Sequence, residues 1–238
     1  MADLLAALYD SVLRVDPRQP AWPNRDRFVL SKGHACAAYY AALAFKGFFP
    51  ETWLDTFYQD GGKLFGHATS TGVPGVEFST GSLGHGLSVA SGMALAAKLD
   101  GHAHRVFVLL SDGECDEGST WEAALLAPHQ RLDNLIAIVD YNKIQSLGHV
   151  KDVMPLDPLG KKWESFGWAV REIDGHDLEQ VLAALHAVPF EAGKPSCVVA
   201  HTVKGKGVSF MEDRLLWHYR NPSADEAAQA IAEIERAR

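Results

Sequence analysis

The stretch LLSDGECDEG, residues 109–118, puts Asp112, Glu114, Asp116 and Glu117 within six positions, just after the hydrophobic run Val106–Leu110. Four carboxylates this close repel one another unless water or a cation compensates. Two outcomes are open: a solvated acidic turn, or half of a metal site. Between Gly113 and Asn142 lie 28 residues, enough for one helix and one strand. Such a crossover unit returns both ends to the same edge of a sheet. Asp112 then offers a carboxylate oxygen, Asn142 an amide oxygen, and the backbone just beyond Asn142 a carbonyl. Mg²⁺ takes a few protein oxygens of this kind and fills its shell with phosphate and water. Gly113 lets a phosphate approach the backbone, and the helix start that follows supplies N–H donors. The pattern predicts a diphosphate carried by Mg²⁺. From these residues alone, a plain strand-end turn stays equally open.

The elements that position these residues follow from periodicity. Leu4, Leu5, Leu8, Val12 and Leu13 predict an amphipathic helix over 3–13. A proline-rich link, DPRQPAWP, leads to a helical segment beginning near His34. GHGLSVASGMALAAKL, residues 84–99, predicts a helix of small residues that allows close backbone approach. Apolar runs at 106–110, 135–140, 169–174 and 197–203 read as strands, with helices over 118–129 and 177–187 between them. Ser119 or Thr120 stands near the start of the first of these helices. The alternation predicts an α/β fold: a mostly parallel, doubly wound sheet with helices on both faces. Ligands of such sheets bind beyond the carboxyl ends of the strands, where Asp112 and Asn142 fall. No G-x-G-x-x-G follows a strand, which sets a nicotinamide-binding Rossmann domain aside.

The chain has 238 residues, 47% of them apolar, so one domain spanning 1–238 is expected, with a helical tail over 221–238. A net charge of −8 without a basic block argues against nucleic acid and against an acidic membrane surface as partners. Cys36, Cys115 and Cys197 are too few and too scattered for a disulfide framework or a zinc knuckle. Neither a signal peptide nor a membrane-length apolar run is visible, so a cytoplasmic setting is expected.

SDGECDEG followed by IVDYNKI resembles the diphosphate-binding motif of thiamine diphosphate enzymes. RDRFVLSKGHACAAYYAAL, GHATSTGVPGVEFSTGSLGHGLSVASGMALA and KWESFGWAVREIDGHD narrow the resemblance to the amino-terminal half of transketolases, over about Asn24 to His218. The resemblance implies thiamine diphosphate as cofactor and Mg²⁺, or Ca²⁺ or Mn²⁺ in its place, held by Asp112, Asn142 and the carbonyl of Ile144. It implies that Gly113 and Glu114 belong to the cofactor site and that His34 touches the diphosphate. His67 matches a histidine close to the reacting carbon and the substrate hydroxyls. Gly81 and Leu83 match the loop against the cofactor rings, and His218 a later active-site histidine. Glu117 and Glu122 match carboxylates at the interface between two active sites, although first-turn helix acids favour the same positions. The TVKGKGVSF loop, residues 202–210, reads either as a solvated basic turn or as a cover over the diphosphate. His102, His104, His129, His149, His176, His186 and His201 read as structural or surface residues.

Three departures from the family pattern stand out. Ser111 replaces the first glycine of the usual Gly-Asp-Gly turn, and Ser146-Leu147-Gly148 stands where many relatives carry Ile-Asp-Gly. Relatives also begin with a Gly-His-Pro-Gly segment whose histidine helps handle the substrate, and Met1 falls after it. The family's pyrimidine-binding domain supplies a glutamate that protonates the cofactor's ring, and residues 1–238 leave no room for it. The resemblance therefore implies one subunit of a split transketolase, partnered in an α₂β₂ assembly by a chain that binds the pyrimidine and the acceptor. The expected reaction moves a two-carbon ketol unit from a ketose to an aldehyde, with sugars or sugar-like molecules as substrates. The alternatives are a catalytically silent scaffold, which loss of the first histidine motif favours, or a subunit of another thiamine diphosphate enzyme, a synthase or a 2-oxo acid ligase.

Overall fold

The computed structural model describes residues 1–236. Five strands form a wholly parallel sheet: β1 (Arg27–Leu30), β2 (Val106–Ser111), β3 (Leu135–Tyr141), β6 (Ala169–Asp174) and β7 (Ser196–His201), in the order β1-β2-β3-β7-β6. Two short strands, β4 (Ile144–Gln145) and β5 (Gly148–His149), make an antiparallel hairpin outside it. Every residue of β2 and β3 is buried, as continuous apolar strands between two helical layers must be. Side chains alternate between the layers. Phe107, Leu109, Ile136 and Ile138 join one core with Leu4, Leu8, Tyr39 and Leu43, whereas Val108, Leu110, Ala137 and Val139 join another with Leu87, Ala124 and Trp163.

Helices α1 (Ala2–Ala7), α2 (Cys36–Lys46) and α7 (Leu178–His186) supply the first layer. The second is built from α3 (Gly86–Leu99), α4 (Gly118–His129) and α6 (Leu159–Ser165), with the one-turn α5 (Val150–Val153) beside them. The doubly wound parallel sheet expected from the alternation is therefore what forms. Helix α8 (Ala224–Arg236) lies within the expected tail over 221–238, whose last two residues fall outside the described ones. Among the described residues no helix is long and apolar enough to cross a membrane.

Several local expectations are corrected. The first helix turns from α to π geometry at Leu8–Val12. The run 197–203 leaves the sheet at His201, because the Thr202 hydroxyl bonds Asp140 and the Val203 N–H bonds His176. Ser119 and Thr120 do stand in the first turn of α4, as expected, but without capping it. Glu117 precedes the helix, and the two hydroxyls go to the carbonyls of Gly84 and Glu114.

Candidate cofactor site at the carboxyl end of the sheet

Register fixes where the candidate ligands stand. Ser111, the last residue of β2, pairs with Asp140 of β3, and Tyr141 pairs with His201 of β7. Asp112, Asn142 and Thr202 therefore leave three neighbouring strands at one edge. Asp112 is 1% exposed, and its two oxygens accept from the N–H of Gly113 at 2.8 Å and of Lys143 at 2.6 Å. The second bond requires a sharp turn, and Lys143 makes it with φ 68°, a left-handed conformation unusual for a non-glycine. The Asn142 side-chain oxygen accepts from the Ile144 N–H at 3.1 Å, closing the same turn.

Burial pushes the Asp112 carboxyl up to about 6, although the two N–H groups and the field of Lys32 pull the other way. Among the described residues no cation is ion-paired with it. A buried carboxylate without a counter-ion, beside an amide oxygen and a peptide carbonyl on one turn, is a donor set for a hard divalent cation. Among the described residues no three His, Cys, Asp or Glu side chains cluster as metal ligands, so the set rests on one carboxylate and neutral oxygens. Phosphate and water would have to fill the rest of the shell.

Behind this turn lies a second group of charges. Asp140 is buried, and Lys32 and Thr202 both bond its carboxylate, the hydroxyl at 2.5 Å. Burial opposes the Asp140 charge, yet Lys32, the N-terminal ammonium and the Thr202 hydroxyl together outweigh it and hold the carboxyl well below the usual range. Lys204 differs. Burial and the nearby Lys32 lower its ammonium, and among the described residues no carboxylate reaches it for an ion pair. A half-buried ammonium left unpaired beside a cation-binding turn suits an anionic group.

The three histidines singled out in the sequence come together above this floor. The rings of His34 and His218 stack 5.7 Å apart at 27°. Crowding, with the charges of Lys32, His218, Lys204 and His67, pushes the His34 imidazole down to about 4. His67 is exposed, and a Cβ on Gly81 would sit 3.5 Å from its ring. Its carbonyl accepts from the Tyr40 hydroxyl at 2.9 Å. Thr80 ties these loops to the sheet through bonds to the carbonyls of Ala68 and Leu30. Leu83, half-buried, stands in the same loop, one residue before Gly84.

Glu114 does not face this space. Its carboxylate is fully buried and accepts from the Ser31 hydroxyl, from the Gly84 N–H at 2.9 Å and from the Ser111 N–H at 3.4 Å. It braces the ends of β1 and β2 and the 81–85 loop against each other. Glu117, just before α4, and Glu122, on it, are both exposed, as are Leu125 and Leu126 further along the helix. The sequence reading missed Lys32, Asp140, Thr202 and Lys204 as parts of the site. SKGHA was read for its histidine and TVKGKG as either a basic turn or a cover over the diphosphate, with neither lysine singled out, although each stands just past a strand end.

The family model described as "Transketolase, thiamine diphosphate binding domain" matches residues 1–233. The chain belongs to the transketolase family. Within that family it carries the thiamine diphosphate-binding domain of a transketolase-type transferase. It is 45% identical to a 6-deoxy-6-sulfo-D-fructose transketolase subunit of Clostridium sp. (strain MSTE9), over 99% of this chain and 86% of the relative. With an apulose-4-phosphate transketolase subunit of Actinobacillus succinogenes it shares 47% identity, over 98% of this chain and 84% of the relative. Among solved structures, a transketolase of Pichia stipitis in complex with fructose-6-phosphate superposes with a TM-score of 0.92 at 33% identity. It matches 98% of this chain, which spans 36% of that transketolase.

Proposed function

We propose that this chain is the metal- and diphosphate-holding subunit of a two-chain transketolase, a single domain of residues 1–238 with its helical tail at 221–238. The observation that carries the proposal is the Asp112–Asn142 turn, whose buried carboxylate has no ion-pair partner among the described residues and lies in the field of Lys32 and Lys204, the same lysines that act on His34. Asp112, Asn142 and the Ile144 carbonyl would hold Mg²⁺, which Ca²⁺ or Mn²⁺ could replace. Gly113 leaves room for phosphate oxygens, Lys204 would balance their charge, and His34 would touch the diphosphate as a neutral ring. Gly81 and Leu83 would face the cofactor rings. Thiamine diphosphate, when bound, supplies an electron sink for cleaving the bond next to a ketose carbonyl.

The protein's own part is placement and proton control. His34 is pushed toward its neutral form, which suits a group that accepts or relays a proton rather than one that adds charge. His67, exposed at the mouth, and His218, whose imidazole is also lowered by crowding and by Lys204, are placed to orient hydroxyls of a sugar.

The pyrimidine end and the acceptor site belong to a partner chain in this reading, in an α₂β₂ assembly with Glu117 and Glu122 on the contact face. Relatives named as subunits, matched over 84–86% of their length, support that division. Their names carry a sulfonated and a phosphorylated sugar, so an anionic ketose is the donor we infer here, with an aldehyde as acceptor. The setting we infer is the cytoplasm. The test is reconstitution: ketol transfer measured with the chain alone, with a pyrimidine-binding chain alone and with both together. Activity only in the mixture is expected, and robust transfer by this chain alone would overturn the two-chain reading.

A further inference from the structure

The EIDGHD segment, residues 172–177, ends β6 against the start of the loop that carries Lys204. The Gly175 N–H donates to the His201 carbonyl at 2.8 Å, and a Cβ on Gly175 would run into the Thr202 methyl. Only a glycine allows this approach. His176 then turns back, its backbone N–H bonded to Asp174 Oδ1 at 2.8 Å. Its ring reaches two further elements. The Val203 N–H donates to Nε2 at 2.9 Å, and Nδ1 lies 2.9 Å from Asp3 Oδ2 on α1.

The chemistry of these partners fixes the tautomer. A backbone N–H only donates, so Nε2 must carry a lone pair. The carboxylate of Asp3 only accepts, so the proton sits on Nδ1. The ring is one-fifth exposed, enough shelter for both bonds to order it. Other bonds hold the loop on either side of this one. Thr202 bonds Asp140 through its hydroxyl and the Tyr141 carbonyl through its N–H. The Val203 carbonyl accepts from the Lys206 N–H, and the Lys204 carbonyl from the Asp213 N–H. Among the described residues, however, the Val203 N–H donates to the His176 ring alone. Beyond them Gly205 and Gly207 both take left-handed φ and offer no side chain to pack.

We propose that neutral His176 is a positioning residue: by holding the Val203 N–H it sets where the adjacent Lys204 ammonium stands, while touching no cofactor itself. Asp3 has the dependent role of keeping the proton on Nδ1. The inference rests on the reading that Lys204 faces a diphosphate, and it assigns a task to a histidine that the sequence offered only as structural or surface.

The test uses the whole chain and four variants: His176→Ala, His176→Asn, His176→Gln and Lys204→Ala. Amide hydrogen exchange is read at Val203, with amides of the central strands as the control for folding. Affinity for inorganic pyrophosphate with Mg²⁺ is read by calorimetry. A glutamine places its Oε1 about where Nε2 stands, whereas asparagine and alanine fall short. Val203 exchange should quicken about tenfold in the alanine and asparagine variants and return toward wild type with glutamine. Pyrophosphate affinity should fall about tenfold in those same two, as in Lys204→Ala, with glutamine keeping most of it. Unchanged Val203 exchange in His176→Ala would overturn the proposal, as would a glutamine variant no better than alanine. Failure of the wild-type chain to bind pyrophosphate would sink the diphosphate reading instead, and the exchange data would still decide whether His176 holds the loop.

Discussion

At the scale of single residues, burial sets the chemistry of the site by denying charges their usual partners. Asp112 is held in the interior with two N–H groups and, among the described residues, no counter-ion, so it binds a proton more tightly than a free carboxylate, and the same place favours a divalent cation. His34 shows the opposite sign. Its folded pKa of about 4 lies below the 6.5 of a free imidazole, so the unfolded chain binds more protons between those values. Stability is therefore unaffected by His34 above pH 6.5 and declines as pH falls from there toward 4. Urea unfolding across pH 4–7 should show a shallower decline for His34→Gln than for wild type; parallel curves would mean that the neighbouring cations do not act on this ring. His34 is open to solvent on one side, so the sign is the claim. The residue types at 34, 67, 112, 142 and 218 were legible in the sequence because each stands in a short stretch shared across a family. Lys32, Asp140 and Lys204 were not, since their meaning lies in pairing: among the described residues one lysine has a carboxylate and the other has none, and only the register of β3 and β7 reveals which.

Among the elements, the 81–85 loop shows how backbone placement is enforced. Gly84 adopts φ 81°, and a Cβ there would come within 2.8 Å of Glu117 Cβ while colliding with the Ser119 hydroxyl that bonds its own carbonyl. Gly84→Ala should therefore cost about 3 kcal/mol through the left-handed backbone and the lost contact. That corresponds to a fall in Tm of roughly 6–12 °C for a chain of this size. Circular dichroism melts would check it, and a change under 1 °C would show that the loop yields easily. The strands were read well from sequence where they are long and wholly apolar, as in β2 and β3. The four-residue β1 went unread because its strand character comes from pairing with β2 across two intervening helices, not from its own short pattern. The hairpin of β4 and β5 was equally hidden, with two residues in each strand. Yet it carries Ile144, the expected carbonyl ligand.

For the whole molecule, the parallel sheet collects the ends of β1, β2, β3 and β7 at one edge. Asp140 pairs with Ser111 near the end of β3, and Lys32, Asp112 and Lys204 follow the ends of β1, β2 and β7. The architecture was legible from the strand–helix alternation, whereas the division of labour between chains that we propose rests on resemblance and on relatives named as subunits. Because the turn of Asp112 and the loop of Lys204 both lie within this chain, the account requires that it bind a metal diphosphate by itself. The decisive measurement is calorimetric titration of inorganic pyrophosphate into the isolated chain, with Mg²⁺ and with chelator, for wild type and for Asp112→Asn. The account predicts binding that needs Mg²⁺, disappears in Asp112→Asn and leaves the variant as thermally stable as wild type. Binding of equal strength in the variant, or in the presence of chelator, would contradict it.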